Sequence, residues 1–177
     1  NSRNVLFENF QPIKKGEPLA TLNGTEINSV WDAYIFMPLY QSQGNDGFFV
    51  RPGTDHIGEL QAWNVDTGER AWTTTFESQN WGPVLATAGD LVFMGGTNDR
   101  YFRAFDSRTG EILWKQRTNS GITGVPVTYT LDGKQYVAVQ SGWGVDAQRE
   151  QNLLNMAKGE SHYVPQGGVI WVFALPD

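Results

Sequence analysis

One phrase occurs twice in this chain, and its repetition constrains the fold more than any other feature. Ala62-Trp63-Asn64-Val65-Asp66-Thr67-Gly68-Glu69-Arg70-Ala71-Trp72 is answered, 42 residues on, by Ala104-Phe105-Asp106-Ser107-Arg108-Thr109-Gly110-Glu111-Ile112-Leu113-Trp114. Ala, Thr-Gly-Glu and the closing Trp all fall in register. Self-similarity at such a period marks a stacked or radial repeat fold, in which no unit can bury its apolar face alone.

The phrase has a mechanical reading. Leu60 to Asn64 and Tyr101 to Phe105 read as short strands leading into an Asn or Asp, whose side chain can bond the backbone of the following turn. Gly68 and Gly110 can take the left-handed conformation such a turn needs. Strand resumes through Trp72 and Trp114, each a large apolar plate with one N–H donor, suited to packing between neighbouring sheets. One strand-Asp-x-x-Thr-Gly hairpin is common. Two in register, both closed by Trp, are far more specific.

Strands are expected at 60–64, 70–75, 84–88, 91–95 and 101–105, then at Ile112–Arg117, Val125–Thr130 and Gln135–Gln140. Ala88-Gly89-Asp90, Asn98-Asp99-Arg100 and Leu131-Asp132-Gly133-Lys134 are the turns between them. The stretch 145–166 changes character. Asp146 reads as an N-cap, Ala147 to Lys158 as a short surface helix holding Leu153, Leu154 and Met156, and Gly159 as its stop. Gly167 to Leu175 is a closing strand. Residues 1–57 read as an irregular excursion: Val5-Leu6-Phe7 and Tyr34-Ile35-Phe36-Met37 could be strands, but prolines and glycines interrupt the rest. Lys14-Lys15 reads as a solvated turn.

Charge and composition exclude several classes. A formal charge of −6 with no basic cluster argues against nucleic acid and against anionic membrane surfaces. Apolar runs such as Val169 to Leu175 are far shorter than the ~20 residues of a membrane span. The chain has no Cys, which excludes disulfides and thiolate metal sites and leaves the redox compartment undecided. His56 and His162 stand apart in sequence and make no metal signature. Twenty glycines and seven tryptophans fit a β-rich chain with many turns.

The repeated phrase resembles the tryptophan-docking motif, Ala-x-Asp-x-x-x-Gly-x-x-x-Trp, of the pyrroloquinoline quinone (PQQ) alcohol dehydrogenases. The surrounding text is similar too. Asn80-Trp81-Gly82-Pro83-Val84-Leu85-Ala86-Thr87-Ala88-Gly89-Asp90-Leu91-Val92-Phe93 resembles a segment of the methanol and ethanol dehydrogenases. Ser120 to Tyr129, Gly133 to Val139 and Gly167 to Leu175 resemble later segments. The resemblance implies an all-β, eight-bladed β-propeller of which this chain supplies the C-terminal blades: 1–57 the excursion, 58–144 repeat blades, 145–166 a helical insert, 167–177 a closing strand. Propellers close with roughly 4–8 blades, so two full repeats plus partial ones make an arc. The start at Asn1, with neither Met nor signal peptide, adds the expectation of a longer protein.

The resemblance also nominates site residues. The Trp matching Trp81 contacts the quinone at the wide face of the family's central channel, and Gly82 permits close backbone approach. A Trp that only plugs the channel is the alternative. Aligned through Glu8-x-Phe10, Asn1 falls where the family places an asparagine facing the quinone; a plain strand-end Asn is the other reading. Trp143, with Gly142 in Ser141-Gly142-Trp143-Gly144, matches a Trp that walls the substrate cavity, and the insert would form its rim. Trp72, Trp114, Trp63 and Trp171 read as packing residues.

The family's catalytic Asp, its adjacent cysteine pair and its ligands for calcium or a lanthanide are not placed in 1–177; they are expected upstream. Asp32, Asp46 and Asp55 are ordinary loop carboxylates. The implied activity is PQQ-dependent oxidation of an alcohol, small or larger, to an aldehyde. Electrons would pass to a cytochrome c or a dye, and the setting would be the periplasm. Two alternatives stand beside it: a non-catalytic scaffold propeller of the outer-membrane assembly type, and a PQQ sugar or polyol dehydrogenase.

Overall fold

The computed structural model describes residues 55–174 in full, and before them the backbone of five strands between Pro18 and Phe48. Those five are β1 (Pro18–Leu22), β2 (Thr25–Asn28), β3 (Tyr34–Tyr40), β4 (Gln43–Gly44) and β5 (Gly47–Phe48). The strand suggested at Tyr34-Ile35-Phe36-Met37 lies within β3, and the other four are short. β3 pairs residue for residue with β6 (Gly58–Asn64), from Tyr34↔Asn64 to Tyr40↔Gly58. Pro38 lies within β3 because that strand is at the edge of its sheet, where a missing N–H is tolerated. Val5-Leu6-Phe7 lies outside the described residues.

Beside the two-stranded pairs β1-β2 and β4-β5, three larger sheets follow one another along the chain. The first has the order β3-β6-β7, with β7 at Arg70–Phe76. The second is a four-stranded meander of β8 (Val84–Ala86), β9 (Leu91–Met94), β10 (Tyr101–Asp106) and β11 (Ile112–Arg117). The third is β12 (Val127–Leu131), β13 (Lys134–Ser141) and β14 (Val169–Ala174). Every strand expected between 60 and 140 is present. β8 is shorter than expected because the Thr87 N–H turns back to the Leu91 carbonyl at 2.9 Å.

The two phrases fold alike, bond for bond. Asn64 Oδ1 accepts from the N–H groups of Asp66 and Thr67 at 2.9 and 3.1 Å; Asp106 Oδ1 accepts from Arg108 and Thr109 at 2.9 and 2.8 Å. In each copy the register shifts just after the Ala that pairs with the Trp, Ala62↔Trp72 and Ala104↔Trp114. Gly68 and Gly110 close the turns at φ 69° and 74°, a region that side chains with a Cβ disfavour.

What the repeat accomplishes is visible between sheets. Trp72, from the first phrase, lies on Gly110 of the second: a Cβ there would come within 2.5 Å of the indole Cε3. Its Nε1–H donates to the Ser107 carbonyl at 2.9 Å, and Thr74 Oγ1 donates to the Gly110 carbonyl at 3.0 Å. Trp114 makes the corresponding step toward the third sheet, edge-on to Phe173 with ring centroids 5.0 Å apart.

The core consists of two seams. Leu60, Phe76, Val92, Met94 and Phe105 fill the space between the first and second sheets, with Trp72 packed against them. Phe93, Phe102, Ile122, Val137 and Val139 fill the next, with Trp171 and Phe173 alongside. A charge crosses the first seam: Arg103, buried, pairs with Asp99, donates to Thr97 Oγ1 at 2.9 Å and stacks over the Phe76 ring at 5.3 Å. Burial pushes the Asp99 carboxyl up, but the Arg103 charge and hydrogen bonds from Thr97 and Arg103 outweigh it and hold it below its usual range.

One helix interrupts the third sheet, α1 (Val145–Lys158). Gly144, not Asp146, occupies the N-cap, and no side chain caps the first turn. Asp146 sits one step inside, where a negative charge still suits the helix N-terminus, and pairs with Arg149 at 3.2 Å. Gly159 ends the helix at φ 67°, as expected. Ala147, Gln151 and Leu154 form the buried stripe; Met156 faces solvent.

Candidate functional site

The sheets have two unlike ends. At one lie the docking turns, Asn64–Glu69 and Asp106–Glu111. At the other, β6 and β12 begin, β7, β9 and β13 finish, and the connecting segments hold Trp81, Trp143 and α1. This second end carries the nominated residues, 62 positions apart in sequence.

Trp81 is fixed through its backbone. Its N–H donates to the Gly96 carbonyl at 2.9 Å, and its ring is half-buried. Gly82 is required by packing: a Cβ on it would lie 2.6 Å from the Gly95 carbonyl oxygen, and one on Gly96 would lie 1.9 Å from the Gly82 nitrogen. The close backbone approach expected of Gly82 is therefore made to its own sheet. The preceding loop is anchored by Asn80 Nδ2, which donates to the Glu59 carbonyl at 3.0 Å. Gln79 Nε2 and Asn80 Oδ1 are buried and have no hydrogen-bond partner among the described residues.

Trp143 is 4% exposed and lies over Gly121, where a Cβ would fall 1.9 Å from its Cε3. The arrangement repeats that of Trp72 on Gly110. Gly142 donates its N–H to the Gly121 carbonyl at 2.7 Å and bridges Ile122, while a Cβ on it would meet only Gly167 O at an ordinary 3.5 Å. Trp143, Ala147 of α1 and Val164 form one apolar cluster, and Trp81 packs against it. Both nominated tryptophans thus meet in one place. The Trp143 Nε1–H is buried there with no acceptor among the described residues.

Several residues of this end escaped the sequence reading. Gly121 was part of a resembling segment, but nothing in its spacing marks it as the seat of a Trp. Ala147 and Val164 are small apolar residues without a motif. Asn1 lies outside the described residues. His56 is bonded at both ring nitrogens: its Nε2 lies 2.6 Å from Glu59 Oε1 and its Nδ1 3.0 Å from Asp55 Oδ1. Those bonds, with Glu59 the larger influence, raise its proton affinity above the ordinary histidine value. Among the described residues no three His, Asp or Glu side chains converge as a metal site would need.

Residues 73–137 match the family model described as the glucose/ethanol/alcohol dehydrogenase β-propeller domain, PQQ. That span runs from β7 through the second sheet into β13. The chain is part of a β-propeller of the PQQ family. The PQQ-propeller segment is 42% identical over 129 residues to the quinoprotein ethanol dehydrogenase of Pseudomonas putida, covering 69% of this chain and 19% of that protein. It is 39% identical over 136 residues to methanol dehydrogenase [cytochrome c] subunit 1 of Methylobacterium organophilum, covering 71% and 22%.

Among solved structures, a europium-containing methanol dehydrogenase superposes with a TM-score of 0.58 at 35% identity, covering 70% of this chain and 24% of that one. The quinohemoprotein alcohol dehydrogenase from Comamonas testosteroni gives 0.52 at 32% identity, covering 72% and 18%. The chain spans about a fifth of the length of the curated relatives it matches. Its three larger sheets are successive wedges of the PQQ propeller, the first joined to the second by Trp72 resting on the Gly110 turn and the second to the third by Trp114 edge-on to Phe173 of β14.

Proposed function

We propose that this chain works as part of a PQQ-dependent alcohol dehydrogenase that oxidises an alcohol to an aldehyde. One observation carries the reading: Trp81 and Trp143 meet at one end of the sheets, in an apolar cluster holding a buried indole N–H that has no acceptor among the described residues. A flat quinone with carbonyl and carboxylate edges would supply that acceptor, and apolar walls would keep water from the reacting carbon. The residues present therefore fit one side of such a group. Trp81 would hold and orient the ring. Trp143 would wall the space for the alcohol, with Gly142 setting its height. Asn1 would face the quinone.

PQQ, when bound, supplies the two-electron redox chemistry, and the protein orients it and tunes its electronics. A calcium or lanthanide ion would polarise it through hard oxygen ligands outside residues 55–174. The alcohol-base Asp is assigned there too. A cytochrome c is the proposed electron acceptor and the periplasm the proposed location.

The test uses the full-length protein supplied with PQQ and either Ca²⁺ or a lanthanide, following dye reduction with primary alcohols. Quinone absorbance with turnover supports the reading, and Trp81→Ala should weaken PQQ retention. No quinone absorbance and no turnover with either ion would end it. PQQ binding with turnover only on sugars would move the substrate class to the sugar or polyol reading.

A further inference from the structure

The insert carries a strap pinned on both sides of the Trp143 cluster. On one side, His162 is gripped by α1: Asn155 Nδ2 donates to the His162 carbonyl at 2.8 Å and Asn155 Oδ1 accepts the His162 N–H at 3.2 Å. The Asn155 amide is itself fixed by buried Gln151, whose Nε2 donates to it at 2.9 Å. The His162 ring then reaches across to the second sheet, its Nε2–H donating to the Asn98 carbonyl at 2.9 Å. On the other side, the fully buried Ser120 hydroxyl donates to the Pro165 carbonyl. Between the pins lies Val164, 0% exposed, in the cluster with Trp143.

We propose that this strap, latched by His162 to the Asn98 carbonyl, sets the size of the alcohol the enzyme accepts, with Val164 as the size-determining side chain. The inference rests on the function proposed above. Its physical basis is that two anchors on different loops leave Val164 no room to retreat. The wall beside Trp143 is rigid rather than adaptable. A rigid apolar wall discriminates by roughly 10–200-fold per methylene it excludes. Val164 packs in the cluster with Trp143 and would act on the alcohol by setting that wall; His162 is a positioning residue acting through it.

Two readouts test this. In the full-length enzyme loaded with PQQ and Ca²⁺, Val164→Ala should raise kcat/KM for 1-hexanol relative to ethanol about 10-fold, mainly through KM. Independently of activity, hydrogen exchange at the amides of 143–147 should quicken about 10-fold in His162→Leu. His162→Gln, which keeps a donor for the Asn98 carbonyl, should restore wild-type exchange. An unchanged alcohol ratio in Val164→Ala would overturn the size role; unchanged exchange in His162→Leu, or equal loss in the Gln variant, would overturn the latch. A wild-type enzyme inactive on every alcohol would instead sink the proposed function while the exchange result still judged the strap.

Discussion

The indole of Trp72 rests on Gly110, 38 residues away, so closely that no side chain could stand between them. One glycine serves two needs at once: it closes its own turn at φ 74°, and it is the floor on which the neighbouring sheet docks. Gly68 has the same backbone conformation, φ 69°, with none of the described residues within 4 Å of where its Cβ would be.

That pair of glycines makes a controlled comparison. Gly68→Ala should cost only the left-handed penalty, about 1–2 kcal/mol. Gly110→Ala adds overpacking against the indole, for a total of about 2–5 kcal/mol. Urea unfolding of the full-length protein followed by fluorescence reads both. Equal losses would mean that Trp72 does not dock there in solution.

Trp72 separates ring from hydrogen bond. Trp72→Phe keeps a plate over Gly110 but leaves the Ser107 carbonyl without its donor, and should cost about 0.5–1.5 kcal/mol. Trp72→Ala removes the plate. Because the ring is half-buried, the loss should sit near the lower end of the aromatic-to-alanine range, about 3 kcal/mol. The same unfolding experiment reports it.

Asp106 gives a pH prediction with a built-in control. The Thr109 N–H, more than any other group, holds its carboxyl below the ordinary Asp range. A depressed folded value contributes stability that is complete above the unfolded value of about 3.9 and is lost as pH falls through the folded one. Asn64 makes the equivalent bonds in the first phrase with no titrating group. Asp106→Asn should therefore keep the turn and flatten the stability profile between about pH 2 and 5. The measurement is unfolding free energy against pH; an unchanged slope would mean other carboxylates dominate.

Arg103 is buried in the seam between the first two sheets, so its loss strands Asp99. Arg103→Met should cost about 1–3 kcal/mol, because Asp99 loses its partner and Thr97 loses a donor. Asp99→Asn in the same background should recover part of that. Arg103→Lys should fall between, since an ammonium cannot reproduce the guanidinium fork and its stacking on Phe76. Thermal unfolding of wild type, Arg103→Met, Asp99→Asn and the double variant forms a double-mutant cycle.

What the sequence determined by itself was local. The docking turns were legible because Asn64 and Asp106 bond groups two and three residues away, and Gly68 and Gly110 declare a positive φ by type. The strands between 60 and 140 were legible for the same reason: each is bounded by its own turn chemistry. Even local signals compete, as Asp146 shows by yielding the N-cap to Gly144. Tertiary structure alone decided which distant residues meet. The pairing of β3 with β6, the seat of Trp143 on Gly121, and the clamp of His162 on Asn98 join residues whose separation in sequence carries no period. The meeting of Trp81 with Trp143 required two sheets to be packed side by side first. A contact of that kind exists only once the indoles have fixed one wedge against the next.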